Sequence, residues 1–528
     1  MSKRSGKTHH RKRHERGAKT PGEGRRPATF SAHHPGATRI LFDVACVAAL
    51  ALAVLLVYHR VFRYFFAQDD FTSLWIARQG PATFWRVLSS FVYFRVGHLL
   101  FGLNPVAFHT VSLTLHAACG LLVFLVARAL SLGRTTSLLC ACLFVAHPAL
   151  YASVCAISST GEILSCVFVL AAALYLLRAQ RPERPGGLLL LATLFAASLL
   201  SKETAIFFPI LVFFIYWQRR LSLKRALAPF SVLAAVAVAY AYLFYRANMF
   251  GIREAPAAGE PYAVTLGPAL VTSVQTYFKW SLNFLEALKR HPMNVLDEKA
   301  SVWLVAGAAL FAVMLLSRRD RRKSVYCILW FLITLLPVIP LTSHPYHYYL
   351  YMPLAGLCPA VGLLISGRLR KTTLEAPISA ALLVLFVFNS YILVSRIERA
   401  TVVDSARRKD PVFDRAIVAG NLITDLRAVG LPEQSRLLLV SPLKAIMEGR
   451  VAEHPYLVMG GSYWDTNLRT AIAEGIGVRL FFPQVDTVAF AQEMTPQFEG
   501  FTAVGYTWDG HVRTAGQVPA ASLPLPNQ

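Results

Sequence analysis

Acidic residues are scarce in this 528-residue chain. Only 29 Asp and Glu stand against 53 Lys and Arg, a formal net charge of +24 at pH 7. Such an excess can serve nucleic acid, but its distribution argues against that partner. Eleven of the cations crowd into residues 1–39, facing two glutamates. Most others sit in short loops between apolar runs, where the positive-inside rule puts them. Residues 396–528 carry thirteen basic and fourteen acidic residues and are close to neutral. That segment also lacks cysteine. All eight cysteines (Cys46, Cys119, Cys140, Cys142, Cys155, Cys166, Cys327, Cys358) lie in or beside apolar runs, which leaves neither a disulfide framework nor a Cys/His zinc cluster. No internal repeat is visible, which speaks against a transporter or flippase built from two alike halves. No small-residue cleavage pattern precedes the first polar loop, and the basic N-terminal stretch is too long for a signal peptide.

What abounds is apolar. Hydrophobic residues make up 55% of the chain, the mean hydropathy is +0.47, and apolar runs of about 20 residues recur. The fold class expected is therefore an α-helical polytopic membrane protein. Eleven spans are predicted: 40–58, 105–128, 136–156, 162–178, 187–201, 204–218, 226–245, 300–317, 324–341, 348–366 and 375–395. Basic loops such as Arg219/Arg220/Lys224/Arg225 and Arg318/Arg319/Arg321/Arg322/Lys323 put the N-terminus in the cytosol and the C-terminus outside. A bacterial inner membrane is the expected location.

Three regions follow. Residues 1–39, rich in Gly, Pro and His, read as a disordered basic tail on anionic lipid. Residues 40–395 form the membrane domain, with long outer loops at 59–104 and 246–299. An amphipathic stretch at Val271–Leu288 is expected to lie on the membrane. Residues 396–528 show helical spacing over Val412–Val429 and short apolar runs at Leu437–Val440, Tyr456–Met459 and Val478–Phe482 that read as strands. They predict a small extracytoplasmic α/β domain.

Against this apolar background, paired carboxylates are costly unless solvated or partnered. Asp69-Asp70 stands just past the first span. The same loop holds Arg60, Arg63, Arg78, Arg86 and Arg95, five cations on the side the rule disfavours, where an anionic ligand or snorkelling at the interface accounts for them. Further patches follow in order: Tyr93-Phe94-Arg95, then His109 and His116, then His147-Pro148 with Glu162, then Ser201-Lys202-Glu203, and last His344-Pro345-Tyr346-His347-Tyr348. Each has a plainer reading. Asp69-Asp70 can be a solvated helix end, Lys202 and Glu203 an ion pair closing a turn, Glu162 a helix cap, His109 and His116 satisfied interhelical groups, and His147-Pro148 a kink.

The order of these patches over residues 40–365 resembles the GT-C superfamily of polytopic glycosyltransferases, in particular the protein O-mannosyltransferase-like and transmembrane-TPR group and its bacterial relatives. The chain departs from that pattern at Val96, at Ala152, at Thr160-Gly161-Glu162 and at Tyr348, where the family often carries Pro, Glu, Arg-x-Asp and Arg. It also lacks the TPR tail. The resemblance implies a sugar moved from a polyprenyl-phosphate-linked donor to a glycan, lipid or protein hydroxyl on the outer side, with inversion. Asp69 is then the general base and Asp70 its orienter. Arg95, Lys202, His347 and Tyr348 are donor-phosphate candidates, supported by His147, Glu162, Glu203 and His344. No cofactor is implied. A divalent metal on His344 and His347 with Asp69 or Asp70 is the less favoured option. The alternatives are a transporter or flippase, and a non-catalytic relative acting in assembly.

Overall fold

The computed structural model describes residues 35–80, 84–250, 262–282, 301–316, 320–369, 372–399, 411–441, 467–507 and 509–517. Most of the basic tail and the strand expected at Tyr456–Met459 lie outside these. The helices run in order as α1 (Pro35–Tyr58), α2 (Asp69–Gln79), α3 (Tyr93–Phe101), α4 (Pro105–Ala129), α5 (Arg134–Val145), α6 (Tyr151–Cys155), α7 (Thr160–Arg178), α8 (Pro185–Ser201) and α9 (Phe208–Gln218). They continue as α10 (Leu223–Phe250), α11 (Ala269–Leu282), α12 (Ser301–Leu315), α13 (Arg321–Leu335), α14 (Tyr351–Leu369), α15 (Glu375–Arg399), α16 (Pro411–Val429) and α17 (Ile476–Phe481).

Local chemistry sets several of these ends. At α4, Asn104 accepts a hydrogen bond from the Val106 amide at 3.1 Å and Pro105 occupies the first turn, where its missing N–H costs nothing. Between α5 and α6 the chain bends by 45°. Pro148 withholds a donor there, and the His147 Nδ1 accepts the Ala149 amide at 3.2 Å.

Each of the eleven expected spans coincides with a helix, but they are not equal. Among the described residues six helices are long and apolar enough to cross a membrane, and the bent pair α5–α6 makes a seventh. The remaining four, α8, α9, α12 and α13, have 11 to 17 residues, short of the roughly 20 that a bilayer asks for. The chain is a multi-pass membrane protein, with six or seven candidate full-length spans among the described residues. The amphipathic stretch Val271–Leu288 is described as far as Leu282, where it belongs to α11, which buries Tyr277, Phe278 and Trp280. Its Phe278 ring sits where a Cβ on Gly307 of α12 would be, so glycine is what permits their close approach.

The described residues of the C-terminal segment form a four-stranded sheet in the order β2-β1-β3-β4, with β1 (Ser435–Val440) parallel to β2 (Val485–Ala491) and β3 (Thr502–Tyr506). β4 (Val512–Gln517) closes it antiparallel to β3. The helix over 412–429 is α16. The strand expected at Val478–Phe482 is the helix α17, entered through Gly475 at φ 90°. A five-residue run with four apolar side chains fits one buried helical turn as well as a strand, and only the packing decides.

Leu437 and Leu439 of β1, Leu422 and Ile423 of α16, and Val478 and Leu480 of α17 share one buried cluster with Phe66, Phe71 and Leu74 of the first long loop. The sheet face and the aspartate-bearing loop thus have a common core. Phe71 is fully buried in it. Phe71→Ala is expected to destabilise the protein by about 3–5 kcal/mol. Thermal unfolding in detergent checks this, and an unchanged midpoint would refute it.

Candidate functional site

Asp69 and Asp70 open α2, where the helix dipole favours negative charge. The residue before them, Gln68, has φ 50° and ψ −114°, a conformation that a non-glycine residue holds only when its surroundings enforce it. They do so from two sides. The Gln68 amide donates to the Ala471 carbonyl at 2.8 Å, and Arg415 Nη1 donates to Gln68 Oε1 at 2.5 Å. Both partners belong to the C-terminal segment.

The two aspartates differ sharply. Asp70 is buried. Its Oδ1 accepts the Ser158 amide at 2.6 Å and its Oδ2 the Ala67 amide at 3.0 Å. Asp69 is exposed, and among the described residues its carboxylate accepts no hydrogen bond. Burial pushes Asp70 up to about 7, against the pull of the two amides and with help from the Asp69 charge. The folded state therefore holds this proton more tightly than the unfolded state does. Asp70 thus lowers stability progressively as pH rises from 3.8 to about 7, and the loss is constant above that. Asp70→Asn is expected to flatten the unfolding midpoint over this window. An identical pH slope in the variant would sink the assignment.

Both carboxylates line a cavity of about 340 Å³. Ser158 and Ser159 border it, as do His344, Tyr346, Tyr348 and Tyr262, and Arg415 on α16. Ala152 does too, so the site where the resemblance expects glutamate faces this same space. Aromatic rings make one wall: Tyr346 and Tyr348 stack at 4.9 Å between centroids, and Tyr262 lies 4.5 Å from the His344 ring. His344 Nε2 is 3.2 Å from the Tyr348 hydroxyl. Burial, with the Lys202 and Arg86 cations, presses His344 down to about 4, so this imidazole is neutral at pH 7.

Behind Tyr348 lies a charged cluster that the sequence paired differently. Lys202 and Glu203 do not bond each other. Lys202 Nζ is 3.2 Å from Glu162 Oε1, while Glu203 takes the Arg86 guanidinium. Successive side chains at this turn reach opposite ways, toward α7 and toward the first long loop. Thr204 donates to Glu162 Oε2 at 3.2 Å, so Glu162 is no simple cap. Burial opposes ionisation of Glu203, but the Arg86 charge more than offsets it and holds the carboxyl down at about 2. Lys202 Nζ also stands 5.3 Å from the Tyr348 ring centre, within cation–π reach.

The other candidates sit elsewhere. Arg95 is exposed, donates to the Ala77 carbonyl at 2.9 Å and does not line the cavity. His347 stacks on Trp280 at 4.0 Å, and neither ring nitrogen has a hydrogen-bond partner among the described residues. His147 Nε2 reaches the Ser281 carbonyl at 3.2 Å, tying the bend to α11. His116 is satisfied between the Tyr351 hydroxyl and the Val145 carbonyl at 2.6 and 2.9 Å. Among the described residues no three His, Cys, Asp or Glu converge as metal ligands. Arg415 and Gln68 had no sequence signal, since what joins them is 347 positions of chain folded back on itself.

Residues 90–245 match the family model described as dolichyl-phosphate-mannose-protein mannosyltransferase. The chain resembles these membrane glycosyltransferases. The Drosophila melanogaster protein O-mannosyl-transferase Tmtc1 is 36% identical over 139 residues, 26% of this chain and 16% of that protein. Mus musculus protein O-mannosyl-transferase TMTC3 is 30% identical over 142 residues, 26% of this chain and 15% of its own length. The chain thus matches about one sixth of these relatives. Among solved structures, ArnT from Cupriavidus metallidurans bound to undecaprenyl phosphate aligns with a TM-score of 0.45 at 14% identity, covering 88% of this chain and 93% of that one. The mycobacterial arabinofuranosyltransferase AftD aligns at 0.45 and 16% identity, covering 76% and 29%.

Proposed function

We propose that this protein is an inverting membrane glycosyltransferase that moves a sugar from a polyprenyl-phosphate donor to a hydroxyl acceptor on the extracytoplasmic side. One observation carries the reading: an Asp69 carboxylate with no hydrogen-bond partner among the described residues faces a cavity beside an Asp70 that two backbone amides hold in place. The donor class is supported by the family model matched over residues 90–245, described as dolichyl-phosphate-mannose-protein mannosyltransferase.

In the step, the acceptor oxygen bonds to the anomeric carbon and the carbon–oxygen bond to the lipid phosphate breaks. The acceptor proton passes to Asp69, and the polyprenyl phosphate departs with the bonding pair. A base within hydrogen-bond reach of the acceptor is what this chemistry requires, and attack opposite the leaving group inverts the centre. Asp70 orients the loop that carries the base. Tyr348 and His344 line the donor side, and Lys202 supports Tyr348 from behind. The N-terminus is cytoplasmic and the α/β segment faces outward, next to the acceptor.

The test is transfer of radiolabelled sugar from a polyprenyl-phosphate sugar to hydroxyl-bearing peptides, glycans and lipids by the purified protein. Labelled product is expected. No transfer to any acceptor, even with native lipid extract, would reassign the chain to a non-catalytic role in assembly.

A further inference from the structure

The cavity holds two carboxylates, yet a departing phosphate needs fixed positive charge. Most cations near the outer helix ends are already committed. Arg60 pairs with Glu398 at 2.8 Å, Lys202 with Glu162 and Arg86 with Glu203, and Arg95 donates to a carbonyl away from the cavity. Among the described residues that line the cavity, Arg415 alone is a lysine or arginine. It has no acidic partner among the described residues. One of its five donors is spent on Gln68 Oε1, and its buried Nε has no partner.

We infer that Arg415, delivered by α16 of the C-terminal segment, is the guanidinium that binds the phosphate of the lipid-linked donor. This rests on the glycosyltransferase reading above. A guanidinium fork matches a phosphate in two parallel hydrogen bonds, and among the described residues only Gln68 takes a bond from the Arg415 side chain. Its bond to Gln68 holds it beside the aspartates, so base and phosphate ligand share one fixed spacing. The C-terminal segment then supplies part of the donor site.

The test compares binding of a polyprenyl phosphate and the matching uncharged polyprenol to the full-length protein in detergent, by equilibrium titration, with inorganic phosphate as competitor. Wild type should favour the phosphorylated lipid. Arg415→Gln should weaken its binding by roughly 10–100-fold while leaving polyprenol unchanged. Arg415→Lys should restore part of the preference. Gln68→Ala, which removes the tether and not the charge, should weaken the preference, but by clearly less than Arg415→Gln does. If Arg415→Gln retains the full preference, or Gln68→Ala loses as much, the inference falls and the donor reading stands. If wild type itself shows no preference for the phosphorylated lipid, the donor reading falls as well. Inorganic phosphate competing as strongly as the lipid would overturn the lipid assignment and leave a free-phosphate site.

Discussion

Asp69→Asn is expected to lower kcat/KM for sugar transfer by roughly 10²–10⁴-fold, the span usual for loss of a general base, while the unfolding midpoint stays near wild type. The asymmetry of the pair dictates this. Asp69 is exposed and accepts no hydrogen bond from a described residue, so an amide in its place leaves no buried group unsatisfied. Asp70→Asn differs in kind. Its amide nitrogen would confront the Ser158 or Ala67 N–H, donor against donor, so α2 should shift and both activity and stability should fall. Initial rates with a labelled donor, set beside thermal melts for each variant, separate the two roles. Asp69→Asn transferring sugar at the wild-type rate would remove Asp69 as the base.

The second large effect is on stability. Glu162→Gln and Lys202→Met should each destabilise by about 3–5 kcal/mol, because each strands its former partner's charge in a buried setting. The pair is well enclosed: side-chain exposure is 2% for Glu162 and 11% for Lys202. The double variant should recover much of the loss, since replacing both ions together removes the uncompensated charge. Melting of the four proteins in one detergent makes the cycle. Additive losses would show that the two residues act independently and that the contact carries no coupling.

Much of the scaffold was legible from apolar periodicity alone, because a span needs only length and composition. Each expected span found a helix, yet several helices proved short. The expected span 136–156, for instance, runs on through 146–148, where the chain bends by 45°. The aspartate pair could be singled out for the same reason it is costly, as charge at the edge of a long apolar run. What escaped was partner choice. Lys202 and Glu203 are neighbours in sequence, but opposite sides of one turn send them to Glu162 and Arg86. Val478–Phe482 read as a strand because so short a run, four apolar residues around Arg479, carries no period. Arg415 is one of thirteen cations in a nearly neutral segment, and only tertiary packing distinguishes it.

The common core of the first long loop and the C-terminal sheet also sets a timetable for biogenesis. Phe66 and Phe71 leave the ribosome long before Leu437 and Val478 exist to cover them. The Gln68–Arg415 bond spans 347 positions. At synthesis rates of about 5–20 residues per second, the loop waits roughly 20–70 s for the segment that gives it its shape. During that interval the nascent protein already has membrane helices but no organised aspartate pair. Chains stopped before α16 should insert and yet remain inert, and a loop left waiting with bare phenylalanines is a natural client for a chaperone.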